Sequence, residues 1–420
     1  MGKARLVLAL GLVAAAQAGP LTALPLLMEA LAVGADRLGV AVTAGLLATL
    51  ALTRRAGALA DRIGPPLAAR CGLAVICAAS AMLCGYTALV LDGTVAPGAA
   101  FTVLLGTRAA NGVGVALLHP SAQAWLWAGV GEEEGTALQG RASAVQNAGR
   151  LFGPLGVAAT GGLGAAWTLG ALAAVSAFAL FVLALAPGPA APRAGQQRQD
   201  GGALRGGSQN GARPLLAALF ALHLLGGGAQ FLLGPLLVAR LDFGAGDAVR
   251  WTGWLMALAA AASIAGNLAG RRAPGRRRAP AGAALATAGA VVLAPFADLA
   301  SVAVGVTALA AGIGAAVPSA MAELMRRSPV WTRGRVAGRT MAMQAAAYAV
   351  AAPAGGLLLS ASPTIAAASL AVPAAAAWLV LVKAGPARPK AGVPDAGRLG
   401  RSGVPHRRRG AVIGGRSDGR

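Results

Sequence analysis

The chain of 420 residues is 56% hydrophobic and only 12% charged, with a mean hydropathy of +0.66. Soluble domains carry about 25% charged residues, so this composition excludes an ordinary soluble fold and points to a chain that lives in a bilayer. The formal net charge of +22 could suggest nucleic acid, but such a binder needs a basic face on a soluble fold. Here the bases stand between apolar runs and act as topology signals, and no nucleic-acid partner is expected.

Apolar stretches long enough to span, at about 20 residues each, fall at 5–31, 39–60, 67–91, 97–128, 141–162 and 164–186. Lys3 and Arg5 ahead of the first stretch imitate a signal peptide. The apolar run continues through Pro20 and Pro25, however, beyond the roughly 7 to 15 residues of a signal core, and is expected to be a retained helix. A stretch rich in Gly, Gln, Arg and Pro covers 187–213 and reads as a flexible linker. Further spans fall at 214–240, 249–271, 279–297, 299–324, 337–360 and 363–384, and a basic, disordered tail is expected over 385–420. Six spans precede the linker and six follow it, so the expected domains are a half at 1–186, the linker, a half at 214–384 and the tail. Lys and Arg crowd one side of this arrangement, leaving Arg37, Arg240 and Arg250 on the other. The positive-inside rule then puts both termini in the cytoplasm.

Cys71, Cys77 and Cys84 share one span. At about 1.5 Å of rise per residue they are too far apart for mutual disulfides, and they read as packing residues. No spacing of Cys, His or acids suits a metal, and there is no phosphate loop. Neither a cofactor nor a resident metal nor an enzymatic activity is expected.

The junction after the second span reads Gly57, Ala58, Leu59, Ala60, Asp61, Arg62, Ile63, Gly64, Pro65, Pro66. A Gly/Pro turn between apolar helices would explain it. It also resembles the loop between the second and third helices of major facilitator superfamily transporters, where Gly, Asp, Arg and Gly hold the places of Gly57, Asp61, Arg62 and Gly64. The two bases usual in that loop are replaced by Pro65 and Pro66. A second copy, Gly266, Asn267, Leu268, Ala269, Gly270, Arg271, Arg272, Ala273, Pro274, follows half a chain later with Gly270 in place of the acid, so the chain is a duplication. The resemblance implies an all-α integral membrane fold of twelve helices in two parallel six-helix repeats.

Further along, Arg108, Asn111 and Gly112 resemble the superfamily's second signature. Gly153 and Pro154 resemble its exporter signature, with the Gly pair displaced to Gly161 and Gly162; plain helix packing explains the same small residues. The repeat reappears as Gly112 and Gly114 against Gly312 and Gly314. It appears again as Gly140, Arg141, Ala144 and Gln146 against Gly338, Arg339, Ala342 and Gln344.

None of the acids falls near mid-span, and Glu132, Glu133 and Glu134 read as a solvated cytoplasmic loop. Arg108 and Arg150 stand roughly 12 and 14 Å into their helices at about 1.5 Å per residue. An intramembrane charge is costly and marks a functional site by default. With no acid at that depth, the pair suits an anionic cargo group, carboxylate or phosphate, although each could instead bond carbonyls or snorkel. Asn111, Gln146, Asn147, Gln230, Gln344 and Tyr348 complete the candidate substrate site, and Trp251 and Trp254 fit either the cavity or the interfacial belt. His119 and His223 are the candidates for proton coupling, and Gly57, Asp61, Arg62, Gly64, Gly153 and Pro154 for gating.

The resemblance implies a multi-pass protein of the cell membrane that exports a small organic compound by alternating access, exchanging it for protons like the superfamily's drug and metabolite antiporters. An importer of the same fold and a non-transporting membrane sensor or scaffold are the alternatives.

Overall fold

A computed structural model of the chain describes residues 2–128, 130, 132–187, 213–272, 277–327 and 333–384. The expected linker and tail lie almost wholly outside this range, as do the side chains of a few helical residues, Asp61 among them. The described residues are helical throughout: α1 (Gly2–Thr22), α2 (Leu24–Leu31), α3 (Ala35–Ile63), α4 (Pro65–Leu91), a 3-10 turn (Pro97–Ala99), α5 (Ala100–Trp127), α6 (Glu132–Gly161), α7 (Ala165–Ala184), α8 (Arg213–Leu241), α9 (Ala245–Arg272), α10 (Arg278–Leu293), α11 (Leu299–Arg327), α12 (Arg333–Ala361), α13 (Pro363–Ser369) and α14 (Ala371–Lys383). Among the described residues, ten helical stretches are long and apolar enough to cross a membrane. Among the segments expected to span, α10 is short at 16 residues, and α6 carries Arg141, Gln146, Asn147 and Arg150 along its 30 residues.

Prolines explain where expected spans break. Pro20 and Pro25 withdraw two backbone donors within little more than a turn, and the first span parts at Ala23 into α1 and α2. Pro373 likewise stands just beyond Leu370, where the last span divides into α13 and α14. The junction at Gly57–Pro66 is hardly a loop. Gly57 to Ile63 are the end of α3, Pro65 opens α4, and Gly64 alone connects them, at φ 90°. That backbone favours glycine, while proline suits the first position of a helix, where its missing N–H has no partner to lose.

Two other expectations are corrected. Glu132, Glu133 and Glu134 form the first turn of α6 and no loop, since acids at a helix N-terminus are stabilised by its dipole. Cys71 is exposed on α4 and not packed, whereas Cys77 and Cys84 are half-buried, and all three are free.

The duplication is visible in the packing. In the first half α1 packs on α6 and α7, α4 on α5 and α7, and α3 on α5; in the second, α8 packs on α12 and α14, α10 on α11 and α14, and α9 on α11. A Cβ on Gly72 would stand 2.7 Å from the Gly114 carbonyl oxygen, and one on Gly282 would stand 2.8 Å from that of Gly312. Gly114 therefore corresponds to Gly312. This register also matches Pro120 with Pro318, and Ser121 with Ser319, each serine donating to the carbonyl four residues back. The sequence pairing of Gly114 with Gly314 is off by two residues, because a helix rich in small residues offers several glycines and only the opposing helix selects one.

The buried apolar residues fall into three clusters. The first draws on both halves, including Leu24, Leu38, Leu104 and Val157 with Phe231, Leu236, Val249 and Leu359. The second lies wholly in the first half, around Leu6, Leu73, Leu118 and Trp125, and the third wholly in the second, around Leu219, Ala283, Ala316 and Leu381. The halves are thus fused at one end and parted at the other. The fused end is where α3 and α9 begin and α6 and α12 finish: a Cβ on Gly39 would meet the Ala352 carbonyl oxygen at 2.5 Å, one on Gly356 the Ala35 oxygen at 2.5 Å, and one on Gly253 the Pro154 oxygen at 2.4 Å. Thr43 also donates across the halves to the Ala349 carbonyl at 2.9 Å. The split opens at the end that carries Gly57–Pro66.

Candidate functional site

At the floor of the split, where the shared core gives way to the two separate ones, polar side chains from both halves meet. Arg150 on α6 is exposed to the split. It lies within electrostatic range of His119 on α5 and of Tyr348 on α12. Tyr348 shares a side-chain hydrogen bond with Gln344 one turn earlier. The ring of His223 on α8 stands edge-on to the Tyr348 ring, with centroids 6.2 Å apart and planes at 87°. One cation from the first half therefore faces a hydroxyl, an amide and an imidazole from the second. Asn147 and Gln146 lie on α6 three and four residues before Arg150, on its side of the helix.

The two repeats make this site asymmetric. Arg150 follows Gln146 by four residues, and Tyr348 follows Gln344 by four, so they occupy corresponding positions of corresponding helices. In the register set by Gly114 and Gly312, Val306 and Val317 stand where the first half has Arg108 and His119. The charge is concentrated in one half and the aromatic hydroxyl in the other.

Arg108 does not join this cluster. Eleven residues separate it from His119, about 16 Å along α5 at the helical rise, toward the fused end. Its carbonyl is pressed on α3, 2.6 Å from where a Gly45 Cβ would stand. Its guanidinium has no hydrogen bond among the described residues. Asn111 is one turn from Arg108, and Gln230 is two turns beyond His223 on α8.

The gating candidates sit in three different settings. Gly57 has open space around it, Gly64 forms the α3–α4 corner, and Arg62 is exposed beside it. Gly153 is pressed on α1, where its Cβ would stand 2.4 Å from the Ala15 oxygen. Pro154 touches α9 of the other half through its carbonyl.

Two positions escaped sequence reasoning. A Cβ on Gly227 would stand 2.3 Å from Tyr348 Cδ1, so that glycine makes room for the ring; the run Gly226, Gly227, Gly228 inside a helix was the available signal, because glycine is a poor helix former. Gln17, on α1 near the break, has a buried amide nitrogen with no hydrogen-bond partner. Nothing in its sequence neighbourhood distinguished it.

A family model for the Major Facilitator Superfamily matches residues 6–310. The chain belongs to that superfamily. No curated protein matches it in sequence. Among solved structures, this superfamily member resembles a D-xylose–proton symporter, with a TM-score of 0.74 at 13% identity over 91% of this chain and 96% of that one. It also resembles a bacterial homologue of the iron transporter ferroportin, in an inward-facing state, with a TM-score of 0.69 at 15% identity over 91% and 98%. A bacterial homologue of the human lysosomal transporter Spinster, inward-facing and occupied, gives 0.67 at 14% identity over 91% and 94%. At such identities the likeness is one of fold. The superfamily fold makes the chain a multi-pass membrane protein and supports secondary transport of a small molecule.

Proposed function

We propose that this chain is a secondary active transporter of a small organic anion, with a carboxylate or phosphate of the cargo held at Arg150. The observation that carries the reading is the position of Arg150: a guanidinium exposed at the floor of the split, opposite Tyr348, Gln344 and His223. A guanidinium inside a membrane is costly until an anion meets it, and its planar fork suits bidentate contact with carboxylate or phosphate. Arg108, farther toward the fused end, would be met next as cargo crosses. Gln146, Asn147 and Asn111 serve as secondary donors along the same path, with Gln230 facing it from the second half.

In this reading each half spans the membrane six times and the stretch at 187–213 links them, so that both termini and the mouth of the split lie on the side richest in bases, the cytoplasm of a cell membrane. The conformation described is then inward-open. Alternating access requires the fused end to part as the split closes, with Gly57, Asp61, Arg62 and Gly64 at the mouth and Gly153 and Pro154 at the fused end as the gating positions. Export in exchange for protons through His119 or His223 is the preferred direction. Import with protons is the second reading, favoured by the likeness to a symporter.

Flux of radiolabelled anionic, neutral and cationic compounds into proteoliposomes under an imposed pH gradient tests all of this. Anionic cargo is expected to be preferred, with Arg150→Lys retaining more transport than Arg150→Ala because it keeps charge and loses the fork. His119→Gln or His223→Gln should abolish gradient-driven flux while sparing equilibrium exchange. Preference for cationic cargo, carried unchanged by Arg108→Ala and by Arg150→Ala, would show the arginines to be structural.

A further inference from the structure

Outside the split, α9 and α11 part company at the end where they begin. Deeper down they are in contact: a Cβ on Gly266 would stand 2.1 Å from the Ala311 oxygen, and one on Gly314 at 2.1 Å from the Ser263 oxygen. Toward their starts a crevice of about 620 Å³ opens between them, lined by Trp251, Trp254, Leu255 and Leu258 on one wall and Leu299 and Ala303 on the other. A smaller hollow of about 350 Å³ adjoins it, bounded by Arg250 and the same two tryptophans. The repeat explains why. Gly45 stands twelve residues before Gly57, and Trp254 twelve residues before Gly266. In the first half the glycine lets α3 close on α5; in the second the indole holds α9 away from α11.

The crevice faces lipid, for Trp254 is 55% exposed and belongs to one of the spanning helices. Walls with no atoms opposite forfeit their dispersion contacts, and in a bilayer the molecules that can supply them are acyl chains. The rim carries the matching charges. Arg250 is exposed and donates no hydrogen bond among the described residues, whereas Arg240 at the same end is engaged with the Pro295 carbonyl at 2.7 Å and with the Thr364 hydroxyl. Asp247 lies one turn before Arg250 on the same side of α9. Asp298, at the start of α11, is occupied in capping the Ser301 N–H at 2.8 Å.

We propose that the α9–α11 crevice is a binding site for one zwitterionic, amine-bearing phospholipid. Its phosphodiester lies on Arg250, its ammonium group on Asp247, and one acyl chain runs down between the helices past Trp251, Trp254 and Leu258. From Trp251 to Leu258 the chain would follow the helix for about 10 Å. Held there, the lipid fills the wedge and keeps the two helices at their present separation. The site does not depend on the transport reading, because its lining comes from α9 and α11 and involves none of the polar cluster's residues, which stand on α5, α6, α8 and α12.

The test is photolabelling in nanodiscs with a phosphoethanolamine lipid carrying a diazirine in its acyl chain, followed by peptide mass spectrometry. Adducts should concentrate on the first turns of α9 and α11. Arg250→Gln should reduce them about tenfold, the scale of losing a charge-assisted hydrogen bond. Trp254→Gly should reduce them as well by letting the helices close, and a phosphoglycerol lipid with the same chain should label the site more weakly. Labelling spread evenly over lipid-facing helices, including that around the exposed Trp167 of α7, would overturn the proposal. So would crevice labelling that neither substitution changes.

Discussion

At the scale of single residues, two glycines are fixed by different causes. Gly227 is needed for space, because a methyl group there would stand 2.3 Å from the Tyr348 ring. Gly227→Ala should therefore displace that ring from His223 and cut transport by tenfold or more, about 1.4 kcal/mol or above, within the range of overpacking. Gly85→Ala, at a position with no neighbour within 4 Å, should leave transport and thermal stability unchanged; equal effects of the two on cargo flux would show that Tyr348 has no part in it. Gly64 is needed for its backbone, since φ 90° is strained for any L side chain. Beside it, Asp61 is the acid that the second copy lacks, and a charge at a helix end can bias a two-state equilibrium by roughly 1 kcal/mol. Asp61→Asn should slow turnover severalfold at normal expression, as measured by initial rates in proteoliposomes, and undiminished turnover would remove Asp61 from the gate.

At the scale of elements, helix ends show how charge is used away from the cargo path. The last carbonyls of α7 have no partner within the helix. Arg70 reaches from α4 to donate to the Leu183 oxygen at 3.3 Å and the Ala186 oxygen at 2.6 Å, and Arg5 reaches from α1 to the Leu185 oxygen. The Arg70 guanidinium also lies 5.9 Å from the centroid of the Trp125 ring, within cation–π range. Two of the bases that looked like simple topology signals thus bind three helices together. Arg70→Ala should lower the thermal stability of the detergent-solubilised protein by about 1 to 3 kcal/mol, the worth of hydrogen bonds to a charged group, with Arg70→Lys recovering part of it. An unchanged melting temperature would mean that water satisfies those carbonyls equally well.

At the scale of the whole molecule, the fused end must open if the split is to close. Thr43 and Ala349 face each other across it on α3 and α12, the threonine hydroxyl donating to the alanine carbonyl. In a background free of Cys71, Cys77 and Cys84, replacing Thr43 and Ala349 by cysteine and oxidising should halt turnover, and reductant should restore it. Full transport with the crosslink intact would refute alternating access through this end.

The membrane class, the duplication and the α3–α4 corner were legible in the sequence, because each is written in local composition: apolar length, a repeated Gly-x-Leu-Ala-x-Arg pattern, and a Gly before Pro. Arg150, His119, His223, Gln344 and Tyr348 were also identifiable one by one, since a polar side chain in an apolar helix is conspicuous by itself. Their grouping was not. Helical spacing says how far apart two residues are on one helix, but nothing about which helices face each other. Only the packing of α5, α6, α8 and α12 brought these five to one place and left Arg108 about 16 Å away along α5. The same physics accounts for the misread register of Gly114 and for the wedge at Trp254. A glycine or an indole is defined by its own chemistry in the sequence, whereas a close approach or a crevice is a property of two surfaces and exists only once both are in place.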